Sequence, residues 1–338
     1  MTEPTPPGGT LARSWPGRLF YALRLALGLR PVAPEPEPGS FRQQVLGTPR
    51  AEPPAGQPGE PILVETGSFR VDASRLLDKL REHQLRDPRD FILPWLRCAC
   101  ASGAKNIALD PAGDGLSLSF DGRPFSRAAL DDPYGALLDD EADEPLRGRH
   151  FAYGLLALQR LGPDRVEVSS GRGGGRAMLV LEGRERSGET GLPEPGEGTV
   201  IRVRWQRGPG RQDVPGLLAR AAAVYGLAQA RLTVNGVEAP REPWRAGPPR
   251  PGTWRPVSGE GWLGYVRHFV PEPRELPSAT FHIYILGTRI QTLVRHQYSS
   301  LEAYLACDAL PLDLSQTGIA DPARLEGILS VLTGGQSG

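Results

Sequence analysis

The stretch FAYGLLALQRLGPDRVEVSSGRGGGRAMLVLEG, residues 151–183, decides the fold class of this chain. Its first part carries apolar residues at helical spacing. RVEVSSG and RAMLVLEG then read as strands, and a third strand pattern, TVIRVRW, follows at residues 199–205. A helix followed by consecutive strands predicts an antiparallel sheet with helices on one side, which is an α+β layered domain.

Upstream of this stretch, the sequence predicts two helices and two strands. Helical periodicity runs from Phe69 to Glu82, and Asp87-Pro88 is a helix start in which Asp is the N-cap. The apolar segment FILPWLRCACA follows directly. Asn106 to Leu109 and Leu116 to Phe120 are predicted strands, because the turn-rich DPAGDG separates them.

Downstream, a proline cluster from Pro240 to Pro256 marks a boundary between two domains. GWLGYVRHFV and TFHIYILGTRI predict strands with a hairpin turn at Gly287, and SSLEAYLACDAL predicts a helix packed across them. A last helix is predicted from Pro322 to Leu332. We therefore predict a first domain at residues 62–240, a linker at 241–257, a smaller domain at 258–333 and a frayed end at 334–338.

The N-terminal 61 residues form a predicted flexible tail, because they hold 13 of the 35 prolines. Within the tail, GRLFYALRLALGL at residues 17–29 predicts one short amphipathic helix. Three interpretations of it compete: docking onto the chain's own globular body, peripheral membrane contact through residues 17–30, and binding in a partner's groove. Arg24 interrupts the apolar run, so the segment is a poor signal peptide.

Composition excludes several classes of protein. The chain has 39 basic and 39 acidic residues, so its formal net charge is zero and no strongly basic nucleic-acid-binding protein is expected. No uncharged apolar run reaches the roughly 20 residues of a membrane-spanning helix. The three cysteines suit a reducing cytosol and lack the spacing of a metal site. We expect a cytoplasmic protein without a metal and without a nucleic-acid partner.

The order of these segments resembles the GHKL nucleotide-binding fold, and within it the ninety-kilodalton heat-shock chaperone family of the HtpG type. Residues 69–92 resemble the family's opening strand, first helix and start of the second helix. FDGRPFSRAAL at 120–130 is similar to D-x-G-x-G-M-[ST] and the next helix, and RHFAYGLLAL at 149–158 is similar to G-x-F-G-x-G-F-x-S. Gly198-Thr199 resembles a late Gly-Thr, and LPLDLSQ at 310–316 resembles the middle-domain L-P-L-N-[VI]-S-R.

The resemblance implies a GHKL (Bergerat-type) α/β sandwich followed by a smaller, truncated β-α-β middle-type domain. In an active member of the family, ATP and Mg²⁺ bind between the second helix and the sheet. A mismatch-repair protein of the MutL type shares the same two-domain plan and is the nearest competitor. DNA binding of that type ranks last, since the charge is balanced and no basic stripe is present.

The catalytic residue types of the family are missing from the matched positions. FILPWLRCA aligns with F-L-R-E-L-x-x-N-A, so Pro94 takes the place of the Glu and Cys98 that of the Asn. Proline cannot transfer a proton, and a thiol is a poor ligand for Mg²⁺. Gln316 replaces the middle-domain Arg that reaches the γ-phosphate, so a charge-assisted hydrogen bond is lost there. We expect no catalytic residue.

The adenine-binding position is also altered. Phe120 falls where the family has the Asp that accepts the adenine amino proton, and Asp121 comes one residue later, next to Gly122. Adjacent residues of a strand face opposite sides, so Asp121 is expected to point away from the pocket of Phe120. Gly198-Thr199 keeps the family's Thr, although a buried Thr also serves packing.

The phosphate-binding glycines are depleted. The three family glycines correspond to Arg149, Ala152 and Gly154, and Gly148 lies one residue before the first. Backbone amides cradle phosphate only where no side chain obstructs them. Arg149 could contact a phosphate directly, although a surface arginine is the simpler interpretation.

Taken together, these replacements predict a chaperone-like GHKL protein that has lost its ATPase activity and acts as a non-catalytic protein-interaction scaffold, with no cofactor. The first alternative is an ATP-dependent chaperone with a remodelled pocket, which would bind ATP and Mg²⁺. The second is a membrane-surface adaptor that uses residues 17–30. Its partners are expected to be other proteins.

Overall fold

The fold is described from a computed structural model. It describes residues 77–80, 87–138, 145–173, 175–183, 185–187, 196–206, 210, 213–240, 254–270, 276–296 and 300–333. The chain divides into two compact units, Met1–Leu76 and Leu77–Gly338, and every described residue belongs to the second. The predicted helix at 17–29 and most of the predicted linker lie outside the described residues.

The described residues form α-helices, short 3-10 helices and strands. The α-helices are α1 (Ile92–Ala101), α2 (Arg127–Asp131), α3 (Pro145–Gln159), α4 (Val214–Val224) and α5 (Pro322–Leu332), with 3-10 helices at Pro88–Phe91 and Gly135–Leu137. The strands are β1 (Asn106–Ala112), β2 (Gly115–Phe120), β3 (Arg165–Arg172), β4 (Ala177–Glu182), β5 (Glu185–Ser187), β6 (Glu197–Arg204), β7 (Arg231–Val234), β8 (Val237–Glu238), β9 (Arg255–Gly259), β10 (Trp262–His268), β11 (Ala279–Ile285), β12 (Thr288–Arg295) and β13 (Leu301–Ala306). None of the helices in this part of the chain is both long and apolar enough to cross a membrane.

The first eight strands form one sheet in the order β5-β4-β3-β6-β2-β1-β7-β8. Every neighbouring pair is antiparallel except β1 and β7, which are parallel. Side chains on one face of this sheet join residues of α1, α3 and α4 in a single apolar core. The prediction of a mixed α/β layer is therefore confirmed, as are the strands predicted at 106–109 and 116–120.

The last five strands form a second sheet in the order β12-β11-β13-β10-β9. The pair β11 and β13 is parallel, and the other pairs are antiparallel. Helix α5 packs Leu325, Ile328 and Leu329 onto this sheet and forms a second apolar core with it. The predicted hairpin is confirmed, because Leu286 and Gly287 form the turn between β11 and β12, both with positive φ.

The helix predicted from SSLEAYLACDAL is wrong, because this segment forms strand β13, Leu301–Ala306. Leu301, Ala303 and Leu305 are buried and alternate with partly exposed residues, as expected for a strand. The Leu and Ala content favours a helix locally, but pairing with β10 and β11 on both sides overrides that preference.

Both sheets belong to the same compact unit, Leu77–Gly338. The Gly226 N–H, in the segment between α4 and β7, donates to the carbonyl oxygen of Gly287 in the β11–β12 turn at 2.8 Å. An isolated bridge between Tyr225 and Thr288 lies beside that bond. The division into domains at 62–240 and 258–333 therefore stays a prediction.

Candidate functional site

The candidate site surrounds helix α1, whose sequence ILPWLRCACA contains no acidic residue. Its residues from Ile92 to Ala99 are all buried. A 3-10 helix leads into α1, and the predicted cap is confirmed because the Asp87 carboxylate accepts a hydrogen bond from the Arg89 N–H at 3.0 Å. One side of α1 packs on α3, and another contacts the β11–β12 hairpin.

Pro94 and Cys98, the replacements for the family's Glu and Asn, are both buried in α1. Pro94 is the third residue of the helix, where backbone N–H groups lack an intrahelical acceptor, so the proline is tolerated. Burial raises the pKa of the Cys98 thiol to about 12, although the positive charge of Arg147 acts in the opposite direction. A proline and a neutral thiol offer neither a general base nor a hard oxygen ligand.

Gly154 lies in the interior of helix α3 and faces α1. A Cβ placed there would collide with the indole ring of Trp95. The Trp95 Nε1–H donates to the Phe151 carbonyl oxygen at 3.2 Å, and its ring is edge-on to Phe91 with centroids 5.1 Å apart. The glycine therefore allows two helices to approach closely, and its amide lies within the helix instead of in a phosphate-binding loop.

Gly148 and Arg149 lie on the part of α3 that contacts the 3-10 helix Gly135–Leu137. A Cβ at Gly148 would come within 2.6 Å of the Ala136 Cβ. The Arg149 Nε–H donates to the Ala136 carbonyl oxygen at 3.1 Å. Both residues thus hold α3 against the segment that follows α2, which is a structural use of the positions that the resemblance assigns to phosphate.

Phe120 and Thr199 are paired across β2 and β6, and both are buried. The Thr199 and Ser170 hydroxyl oxygens lie 2.7 Å apart, and Ser170 Oγ accepts a hydrogen bond from the Phe125 N–H at 2.8 Å. The Phe125 ring lies 4.8 Å from the ring of Phe151. The hydroxyl of Thr199 is therefore used within the protein, among aromatic side chains.

Asp121 binds the turn before β1. Its carboxylate accepts hydrogen bonds from the Lys105 N–H at 2.7 Å, the Asn106 N–H at 3.0 Å and the Asn106 side-chain amide at 2.7 Å. Burial raises its pKa, but these hydrogen bonds outweigh burial and hold the pKa below its usual value. Gly122 packs against Ser102, with no room for a Cβ. Asp121 thus serves as a cap for this turn.

Gln316 is held in a tight turn with φ of 58°. The Asp313 carboxylate supports the turn, since it accepts hydrogen bonds from the Ser315 hydroxyl at 2.7 Å and the Gly318 N–H at 3.2 Å. The Gln316 amide Nε2–H donates to the Asp313 carbonyl oxygen at 3.0 Å. The side-chain and backbone oxygens of Gln316 are both left to face helix α1.

Arg97 is a buried, hydrogen-bonded charged residue that the sequence did not lead us to select as a site residue. Only 1% of its surface is exposed, and its guanidinium donates to the Gln316 Oε1 at 3.2 Å, the Gln316 carbonyl oxygen at 3.0 Å and the Thr288 Oγ1 at 2.7 Å. Burial lowers the pKa of Arg97 to about 9, while Asp90 and Asp313 act against that, so it is charged at pH 7. A lone arginine in an otherwise apolar helix was the available signal.

His150 of helix α3 is a second buried polar residue that was not predicted to matter. Among the described residues, neither ring nitrogen has a hydrogen-bond partner, although the side chain of Gln316 lies beside the ring. Burial lowers the pKa of His150 well below its usual value, and the nearby charges of Arg97 and Arg149 lower it further. The imidazole is therefore neutral at pH 7.

The described residues can be compared with what a metal or a ligand would require. No cluster of three or more His, Cys, Asp or Glu side chains suited to a metal exists in the described ranges. A cleft of about 220 Å³ lies beside the first residues of β1 and the last residues of β2. Asn106, Asp121 and Arg231 are among the residues that line it. Typical ligand pockets of roughly 300–1,000 Å³ are larger.

Comparisons with known proteins identify no relative in sequence. No protein-family model matches the chain, and no curated protein matches it. Among solved structures, the chain is similar to the B-subunit of DNA gyrase from Myxococcus xanthus, at 12% sequence identity and a TM-score of 0.48. That similarity covers 76% of this chain and 93% of the gyrase chain.

Proposed function

We propose that this chain is a non-catalytic protein-interaction scaffold built on a chaperone-like GHKL body. The observation that carries the proposal is the packing between α1 and α3. The resemblance would place a nucleotide beside the second helix, which corresponds to α1. Here that region holds the Trp95 ring against Gly154, together with buried Cys98 and the Phe125–Phe151 pair.

The chemistry of the remaining residues supports the same proposal. α1 carries no carboxylate that could activate water, and the nearest acidic residue upstream, Asp90, is paired with Arg220 of α4 at 2.5 Å. Asp121 is committed to three hydrogen-bond donors, and Arg149 to the Ala136 carbonyl oxygen. Asp90, Asp121 and Arg149 thus each have structural partners. We propose that neither ATP nor Mg²⁺ is a cofactor.

The partners proposed are other proteins in the cytoplasm, and no nucleic acid. Two large apolar side chains, Leu263 and Val331, are 55% and 69% exposed on the five-stranded sheet and α5. Isolated exposed apolar residues are normal on a protein surface, so they do not locate the interface. The membrane-adaptor alternative depends on residues 17–30, which are not among the described residues.

Steady-state hydrolysis of ATP by the purified full-length chain tests the proposal. We expect no magnesium-dependent turnover above buffer, because a general base contributes about 10²–10⁴-fold and none is present in α1. If turnover appears, Arg149→Gln separates two explanations: a true site loses activity with this variant, and a contaminating ATPase does not. Turnover that tracks the variant would establish the ATP-dependent alternative.

Partner recovery tests the scaffold role itself. Proteins that copurify with the tagged full-length chain are quantified after lysis with Mg-ATP or after ATP removal by apyrase, and crosslinks are formed only after that treatment. We expect the same partners at the same recovery in both conditions. A partner that is lost when ATP is removed would contradict a nucleotide-independent scaffold, and vesicle binding that requires residues 17–30 would favour the adaptor.

A further inference from the structure

The tip of the β11–β12 hairpin packs at a junction formed by α1, the segment after α4 and the Asp313–Gly318 turn. Gly287, with φ of 75°, lies at this tip. A Cβ there would come within 2.6 Å of the Ala228 Cβ and 3.0 Å of the Tyr225 ring. The Gly226 N–H donates to the Gly287 carbonyl oxygen at 2.8 Å. The fit is close enough to require glycine at this position.

Arg97 lies at this junction and contacts both the β11–β12 hairpin and the turn that follows β13. Its Nε–H donates to Thr288 on the hairpin, and its terminal nitrogens donate to Gln316 on the turn. Within the described ranges, no carboxylate lies at ion-pair distance from this guanidinium. The charge is therefore satisfied by three neutral oxygens whose positions depend on one arrangement of the two sheets.

A buried charge held by neutral acceptors selects one arrangement of its neighbours more than it adds to the free energy of unfolding. Burying a charge is unfavourable, and good hydrogen bonds offset this only in part. An arrangement that shifted the hairpin or the turn would leave the guanidinium buried with fewer acceptors, and each unsatisfied donor would make that arrangement less stable. The planar fork of arginine makes this dependence on geometry stronger than it would be for lysine.

We propose that Arg97 is a positioning residue that fixes the second sheet against α1 in one arrangement without any bound ligand. The contacts that carry this inference are independent of the scaffold proposal. In the proposed scaffold, the binding surface for partners would then have a single conformation. No ligand would be required to hold the second sheet against α1.

Hydrogen–deuterium exchange of the full-length chain, followed by NMR without nucleotide, tests the inference. The reporter is the Gly226 amide, whose bond to Gly287 joins the segment after α4 to the β11–β12 turn. Its exchange rate is divided by that of amides in the central strands β2 and β6, so a general loss of stability cancels. We expect Arg97→Met to raise this ratio at least tenfold, and Arg97→Lys to restore little of the protection.

The matched control is Arg147→Met. Arg147 is also a buried arginine, and it donates to the Arg123 and Pro124 carbonyl oxygens beside the Phe125 ring, which belong to the layer of the first sheet. Its loss is expected to lower stability while leaving the ratio unchanged. A ratio that stays within twofold of wild type in Arg97→Met, or that rises equally in Arg147→Met, would overturn the proposal.

A milder variant covers the case in which Arg97→Met does not fold. Thr288→Val keeps the side-chain shape but removes the oxygen that accepts from the Arg97 Nε–H. We expect the Gly226 ratio to rise severalfold, and an unchanged ratio would contradict the positioning role. Since nucleotide is absent throughout, none of these outcomes depends on whether the chain binds ATP.

Discussion

Two sides of helix α1 use opposite chemistry. Toward α3, it presents Trp95 and Cys98, and the contact is closely packed and apolar apart from one indole hydrogen bond. Toward the second sheet, it presents Arg97, a buried cation with three hydrogen bonds. In the family that the chain resembles, the side that faces the nucleotide carries a Glu and an Asn, and here Pro94 and Cys98 take their places. The difference shows that the charged contacts of this helix are made with the β11–β12 hairpin and the Asp313–Gly318 turn.

The largest change in stability is expected when the apolar contact between α1 and α3 is removed. Trp95→Ala should lower the free energy of unfolding by about 3–5 kcal/mol, because a fully buried indole leaves a cavity. Urea unfolding of the full-length chain measures the change. Val331→Ala, at a position that is 69% exposed, is the matched control and should stay within about 0.5 kcal/mol of wild type. A small effect of Trp95→Ala would mean that α1 and α3 are not packed as described.

The polar side can be probed through pH, because His150 lies beside Arg97 and Arg149. Its pKa in the folded protein is well below the usual 6.5, so only the unfolded chain binds this proton as pH falls below about 6.5. Stability should therefore be complete above that pH and decrease below it, with a slope of up to about 1.4 kcal/mol per pH unit from this group.

The control for this slope is His150→Gln, which cannot titrate. Unfolding midpoints between pH 7 and pH 5 should decline less steeply in the variant than in wild type. Asp90 and Asp308, whose pKa values burial raises, titrate in both proteins and cancel in the difference. Parallel pH profiles for the two proteins would show that His150 is accessible to protons in the folded state.

A smaller change in stability is expected near the start of β6. Thr199→Val keeps the side-chain volume but removes the hydroxyl that lies 2.7 Å from Ser170 Oγ. We expect a loss of about 1 kcal/mol in unfolding free energy, the usual net value of one hydrogen bond. Ser170→Ala should cost more, since it also removes the acceptor of the Phe125 N–H. The reverse order would indicate another role for Thr199.

The smallest effect concerns Asp121. Asp121→Asn should reduce stability by less than about 1 kcal/mol, because the carboxylate is largely exposed and its hydrogen bonds are solvated. Its lowered pKa means that this contribution is present above about pH 4 and is lost as pH falls through the folded-state value. Thermal unfolding at pH 7 and pH 3 checks both statements. An equal loss at both pH values would exclude the charge as its cause.

Sequence reasoning found most elements but not the junction. The strand pair at 106–120, the hairpin at Gly287 and the last helix could be predicted because their patterns are local. The strand Leu301–Ala306 could not, since its Leu and Ala favour a helix until β10 and β11 pair with it. The contact between Arg97 and Gln316 joins residues 219 positions apart, which no local pattern encodes.

The most direct test of the central claim is the thermal unfolding of the full-length chain with increasing Mg-ATP. A ligand present at 100 times its dissociation constant stabilises a protein by about 2.7 kcal/mol, which corresponds to a Tm rise of roughly 5–10 °C for a domain of this size. Because described side chains of α1 and α3 pack against each other where the resemblance places a nucleotide, we predict a Tm that does not change with Mg-ATP at millimolar concentration. A saturable rise of several degrees that Arg149→Gln abolishes would contradict it.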